Sequence, residues 1–219
     1  MRSIATHEHS RLTLVAIVLA LFGLLLTIPF ETVTGWSLSG VDVAVYKWVL
    51  AVGLCLFVVG IENRSLSSIG FRRPDRWDLA ITVGLWLAIM LSVGVMQSLL
   101  GQFGLLETAS GNGTPPEGTE LYWTLFIAAT AGVTEEVLYR GYALERLEAV
   151  TASTWVAGIV TATVFVLIHI GDGVVGMLVF VPAAILLTVA YVWRRTLFVV
   201  VGAHVAVNTV PLVLLALSA

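Results

Sequence analysis

The chain has 219 residues, 58% of them hydrophobic and 11% charged, with a formal net charge of −3 and a mean hydropathy of +0.99. A soluble domain of this length carries about 25% charged residues, so the apolar side chains have nowhere to be buried except lipid, and a soluble enzyme is excluded. There is no basic stripe to bind nucleic acid, and the single Cys55 excludes an intramolecular disulfide and Cys-based metal sites.

Met1 to Ser10 is polar and reads as a short solvated tail, with His7 and His9 in it. Leu12 to Phe30 follows as a first span of roughly 19 residues, long enough for a ~30 Å hydrocarbon core. Arg2 and Arg11 before it resemble a signal-peptide n-region, but no A-x-A site follows and further spans do, so it is expected to stay as an anchor. The second span is expected at about Val43 to Ile61, with Lys47 near its start, and the third at about Leu79 to Leu100. Between them, residues 62 to 78 form a polar loop with Arg64, Arg72, Arg73 and Arg76. Gln102 to Glu120 is a longer polar loop rich in Gly and Pro.

The fourth helix begins at Leu121 and is expected to run to about Ala149, its last part leaving the bilayer or lying along its surface. The fifth span is Trp155 to Ile170, closed by Gly171-Asp172-Gly173. The sixth is Val174 to Trp193 with a Pro182 kink, and the seventh Leu197 to about Leu217. The fold expected is therefore an all-α, polytopic transmembrane helix bundle of about seven spans, forming one integral-membrane domain over residues 1–219. In that arrangement ten arginines fall on one side, and the opposite loops carry acids only. The positive-inside rule then places the N-terminus in the cytoplasm. Lys47 alone dissents, and snorkelling from near a span end would accommodate it.

Few polar residues lie inside the spans. Glu136 and Arg140 are four apart on one helical face, acid before base, which is the favourable order for an ion pair. Glu135 points about 100° away, so Glu136 and Arg140 are expected to pair structurally and to leave Glu135 free for chemistry. His169 closes the fifth span, and His204 and Asn208 share a face of the seventh. Ionisable groups in lipid cost several kcal/mol and persist mainly at working sites. The set suits water activation: a buried glutamate as general base, histidines to hold the water or a metal, and an asparagine N–H to meet an oxyanion. The same residues would also serve a proton relay in a small transporter.

These residues resemble a known family. Glu135-Glu136-Val137-Leu138-Tyr139-Arg140 matches the E-E-x-x-x-R signature of the CPBP family, the CAAX-processing and bacteriocin-processing (Abi) intramembrane proteases. Phe165-Val166-Leu167-Ile168-His169 matches its F-x-x-x-H motif, and His204-Val205-Ala206-Val207-Asn208 its H-x-x-x-N motif. The resemblance covers about Leu121 to Leu217, the expected catalytic core. It implies an intramembrane endopeptidase, multi-pass in the cell membrane, acting on a membrane-associated peptide or protein. Glu135, His169, His204 and Asn208 would be catalytic, with Glu136 and Arg140 supporting them.

The family is often labelled a metalloprotease, so zinc is one open cofactor, with His169 and His204 as candidate ligands; a metal-free mechanism uses every residue once and is the one expected here. Non-catalytic members of the family, such as a membrane chaperone, an immunity protein or a scaffold, and the transporter remain alternatives. One depth conflict stands. At ~1.5 Å per residue, Glu135 lies roughly 21 Å from the outer end of its helix and His204 roughly 13 Å from the inner face. Those depths agree, whereas His169 at roughly 21 Å from the inner face lies too far outward to meet them. A Gly171-Asp172-Gly173 turn sunk into the bilayer would resolve it and admit water.

Overall fold

The computed structural model describes residues 2–105 and 120–218. The loop expected from Gln102 to Glu120 lies, apart from its ends, outside the described residues, as do the side chains of His7 and His9. The described chain is helical throughout. Helix α1 spans Arg2–Phe22, passes through a 3₁₀ turn at Gly23–Leu26, and continues as α2 (Thr27–Thr34). The backbone is thus already helical at Arg2, and the expected tail forms the first turns of α1. Helices α3 (Gly40–Gly60) and α4 (Arg76–Gln102) follow, each opened by a capping box, Ser39 with Asp42 and Asp75 with Asp78.

The fourth expected helix is compound. It runs as α5 (Leu121–Glu136), widens into a π-helical segment over Val137–Leu144, and ends as α6 (Glu145–Thr151). Helix α7 (Thr154–Leu167), α8 (Gly173–Arg194) and α9 (Leu197–Ser218) complete the bundle.

Five stretches among the described residues are long and apolar enough to cross a membrane: Arg11–Thr34, Gly40–Gly60, Arg76–Gln102, Ile170–Arg194 and Leu197–Leu217. The other two expected spans are the compound helix and α7, which has 14 residues. The apolar side chains point outward as lipid requires. Along α4, Leu79, Val83, Leu87, Leu91, Val95 and Leu99 form an exposed stripe at four-residue spacing.

Two features set the position of the polar residues. Helix α5 packs against α9 and α3, and its Gly132 allows the closest approach: a Cβ there would sit 2.8 Å from the backbone nitrogen of Val205. Small residues at such crossings let transmembrane backbones touch, so Glu136, one turn on, meets His204 directly. At the other end, Gly70 has φ +86°, and its carbonyl accepts the N–H of Leu197 at 2.9 Å, which anchors the start of α9.

The basic residues gather at one end of the bundle. Arg146 binds Glu62, Arg194 binds Asp75 and Asp78, and Arg195 binds Glu145 and Glu148. Residues 62–78, 145–153 and 194–196 therefore share one face, as the alternation of spans requires.

Candidate active site

Glu135 and Glu136 close α5, and the helical rotation between them sends their carboxylates to different neighbours. Glu136 Oε1 accepts a hydrogen bond from Arg140 Nη1 at 2.9 Å and lies 2.8 Å from His204 Nδ1 on α9. Arg140 Nη2 also donates to the Ala184 carbonyl of α8 at 3.2 Å. Its guanidinium carbon stands 4.2 Å above the Phe165 ring, a cation–π contact in a desolvated setting. Both members of the pair are fully buried. The structural ion pair is present, with His204 as a third member that helical spacing alone did not assign. Glu136 Oε2 and Arg140 Nε have no hydrogen-bond partner among the described residues.

Glu135 is not free, which corrects the expectation. Lys47 Nζ, from α3, donates to its Oε1 at 2.6 Å. The expectation failed because it weighed only partners on Glu135's own helix, whereas Lys47 is 88 residues away in the chain. The same contact corrects the reading of Lys47 as a snorkelling residue: its ammonium turns into the bundle to meet a carboxylate. Trp48 Nε1 donates to Thr130 Oγ1 at 3.2 Å and ties α3 to α5 a second time. Glu135 Oε2 takes no hydrogen bond among the described residues, and it is absent from the buried unpartnered atoms, so it is the oxygen open to a small molecule.

His169 lies just beyond α7. Its Nδ1 is 2.9 Å from the Phe165 carbonyl, one turn back, and its ring stacks on Phe180 of α8 at 3.7 Å. Phe165 is the platform of the site: its ring meets His169, His204 and Tyr139 at centroid distances of 5.4, 5.7 and 5.7 Å. Glu135, His169 and His204 lie within electrostatic reach of one another. Helix α7 stops at Leu167 after about 21 Å of rise, short of a ~30 Å core, which is the short length that a turn sunk into the bilayer would require.

Asn208 is half-buried, and its Nδ2 donates to the Ala128 carbonyl of α5 at 3.2 Å. It sits one turn from His204 and keeps its second amide hydrogen. Lys47, Phe180 and the π segment were not named as site features from the sequence. Lys47 did leave a signal, as the lone basic residue placed against the orientation rule. Phe180 is one apolar residue among many and left none. The π segment begins immediately after Glu136 and holds Arg140; such segments recur at functional sites.

A catalytic zinc takes about three protein ligands and a water. Among the described residues no three His, Cys, Asp or Glu side chains cluster to hold a metal ion. Glu135 Oε1 is held by Lys47 and Glu136 Oε1 by Arg140 and His204. The donor set does not fit such a group, and no chemical step below runs through one.

Comparison with known proteins agrees with the motifs. Residues 117–210 match the family described as type II CAAX prenyl endopeptidase Rce1-like. No curated protein and no solved structure matches the chain. The matched segment contains all three motifs, from Glu135 to Asn208, on a multi-pass helical bundle. Through that segment, a little under half of the chain, the protein is similar to the CAAX prenyl endopeptidase family.

Proposed function

We propose that this protein is an intramembrane endopeptidase of the cell membrane, hydrolysing a peptide bond of a membrane-associated peptide or protein with water activated by Glu135. The observation that carries the reading is the convergence of Glu135, His169 and His204 inside an apolar bundle, with no hydrogen bond to Glu135 Oε2 among the described residues. The water is held between Glu135 and His169. It gives a proton to Glu135 Oε2 while its oxygen bonds to the scissile carbonyl carbon, and the carbonyl electron pair moves onto oxygen. His204, oriented by Glu136, and the second amide hydrogen of Asn208 face that oxyanion. Collapse of the intermediate breaks the C–N bond, and Glu135 returns its proton to the leaving amine. The recessed turn after α7 supplies a route for water.

The test uses purified full-length protein in liposomes and an internally quenched peptide ending in a farnesylated CAAX tetrapeptide. Proteomics of membrane peptides from cells carrying wild type or Glu135→Gln extends the test to other substrates. Wild type is expected to cleave, and Glu135→Gln to lose at least about 10²-fold in kcat, the lower bound for a general base, with unchanged Tm. Substantial turnover by Glu135→Gln would remove Glu135 as the base. Identical peptide sets from both strains, together with an intact reporter, would point instead to a scaffold. Proton-coupled flux in the same liposomes would point to a transporter.

A further inference from the structure

Among the described residues Glu135 has one hydrogen-bond partner, Lys47, which takes no part in the proposed proton transfers. Lys47 lies seven residues into α3, roughly 10 Å along the helix axis, in a stretch whose neighbours Ala44 and Ala51 are buried. An ammonium at such a position is costly unless it is paired. Its Nζ binds Glu135 Oε1 at 2.6 Å, and the lysine side chain is 18% exposed. The neighbouring Trp48–Thr130 hydrogen bond fixes the height of α3 against α5, so the lysine is held at this position from two sides.

Among the described residues, Lys47 from α3, Tyr139 and Arg140 from the π segment, His169 after α7 and His204 from α9 interact electrostatically with Glu135. Of these, Lys47 is the one that hydrogen-bonds to it. Arg140 is bound to Glu136 and to the Ala184 carbonyl, His204 to Glu136, and His169 to the Phe165 carbonyl. Removal of Lys47 would therefore leave the carboxylate in an apolar setting with no donor.

We infer that Lys47 is a positioning residue for the proposed hydrolysis: it keeps Glu135 ionised and fixes its rotamer, holding Oε1 so that Oε2 faces the water. This rests on Glu135 being the base. When Glu135 takes the proton from water, its negative charge passes to the oxyanion, and the ammonium remains beside the site to balance it.

The experiment compares Lys47→Met, Lys47→Arg, Glu135→Gln and the double variant Lys47→Met/Glu135→Gln, all full-length in liposomes. Infrared spectroscopy at neutral pH reads the carbonyl stretch of a protonated carboxylic acid. Steady-state cleavage of the farnesylated peptide reads kcat and KM separately. Lys47→Met is expected to show a protonated-carboxyl band that wild type and the double variant lack. It should lose about 10²-fold in kcat, the scale of one preorganised electrostatic partner, with little change in KM, and Lys47→Arg should recover part of the loss. A Lys47→Met protein with no Glu135-dependent band, or with wild-type kcat, overturns the inference. Turnover surviving in Glu135→Gln overturns instead the reading of Glu135 as the base, and the infrared comparison then judges the Lys47–Glu135 pairing on its own.

Discussion

Two clusters of buried charge among the described residues are built differently. At the basic end, donors reach both oxygens of Glu62 and of Asp78. Glu62 accepts from Arg146 Nε and Nη2, from Tyr142 and from Thr13. Asp78 accepts from Arg194, from Arg72 and from the Asp75 backbone. Within the bundle, Glu135 has one donor on one oxygen, and Glu136 places both of its partners on Oε1 while Oε2 has none. Buried polar groups are ordinarily satisfied. Glu62 and Asp78, which tie helices together, use both carboxylate oxygens, whereas Glu135 and Glu136 each use one among the described residues.

The largest expected effect breaks the inner cluster. Glu136→Ala strands Arg140, which is fully buried, and removes the partner of His204. Losing one member of a buried pair costs about 3–5 kcal/mol. Glu62→Ala should cost less, because Arg146 keeps the Ser68 carbonyl and hydroxyl. Glu135→Ala should also cost less, because it strands a lysine that is partly exposed. Thermal unfolding in detergent ranks the three, and equal Tm values would contradict the difference between the clusters.

Gly132→Ala tests the framework beneath the inner cluster. Its Cβ would meet the Val205 backbone nitrogen and Cγ2 at 2.8 Å, so α5 and α9 must part at the level that brings Glu136 to His204. Overpacking of this kind costs about 1–3 kcal/mol. Turnover should fall although no polar group has changed. Full activity with wild-type Tm would show that the crossing has slack.

The smallest effect is expected at the basic end. The hydrogen bond from Arg195 holds the Glu148 carboxyl below its ordinary value of 4.5, against some opposition from burial. A depressed carboxyl stabilises the fold above its ordinary value, and that stability is lost as pH falls through the lower, folded-state value. The pair is substantially exposed, so Glu148→Gln should cost about 0.2–1 kcal/mol at neutral pH and flatten the acid decline in Tm. A decline equally steep in both proteins would assign it to other carboxylates.

What could be read in the sequence was local. Glu136 with Arg140, Phe165 with His169 and His204 with Asn208 are all four apart, and helical geometry places such pairs together whatever the tertiary fold. Span boundaries were legible because lipid imposes them on composition. The Lys47–Glu135 contact was not, since it depends on how α3 docks against α5. The start of α1 at Arg2 was missed for the opposite reason: a helix that continues into polar residues carries no hydropathy mark. The π segment over Val137–Leu144 uses residues that would suit an α-helix equally well. Within it Arg140 contacts Glu136, Ala184 and Phe165.

The 14 residues of α7 have a mechanical consequence. A helix roughly 9 Å shorter than a bilayer core would draw the adjoining leaflet toward it, since lipid thins locally around a short hydrophobic surface. Such thinning would bring polar headgroups toward the level of the turn beside His169. Its extent would depend on the surrounding lipid chains, which would make membrane thickness a parameter of the proposed reaction.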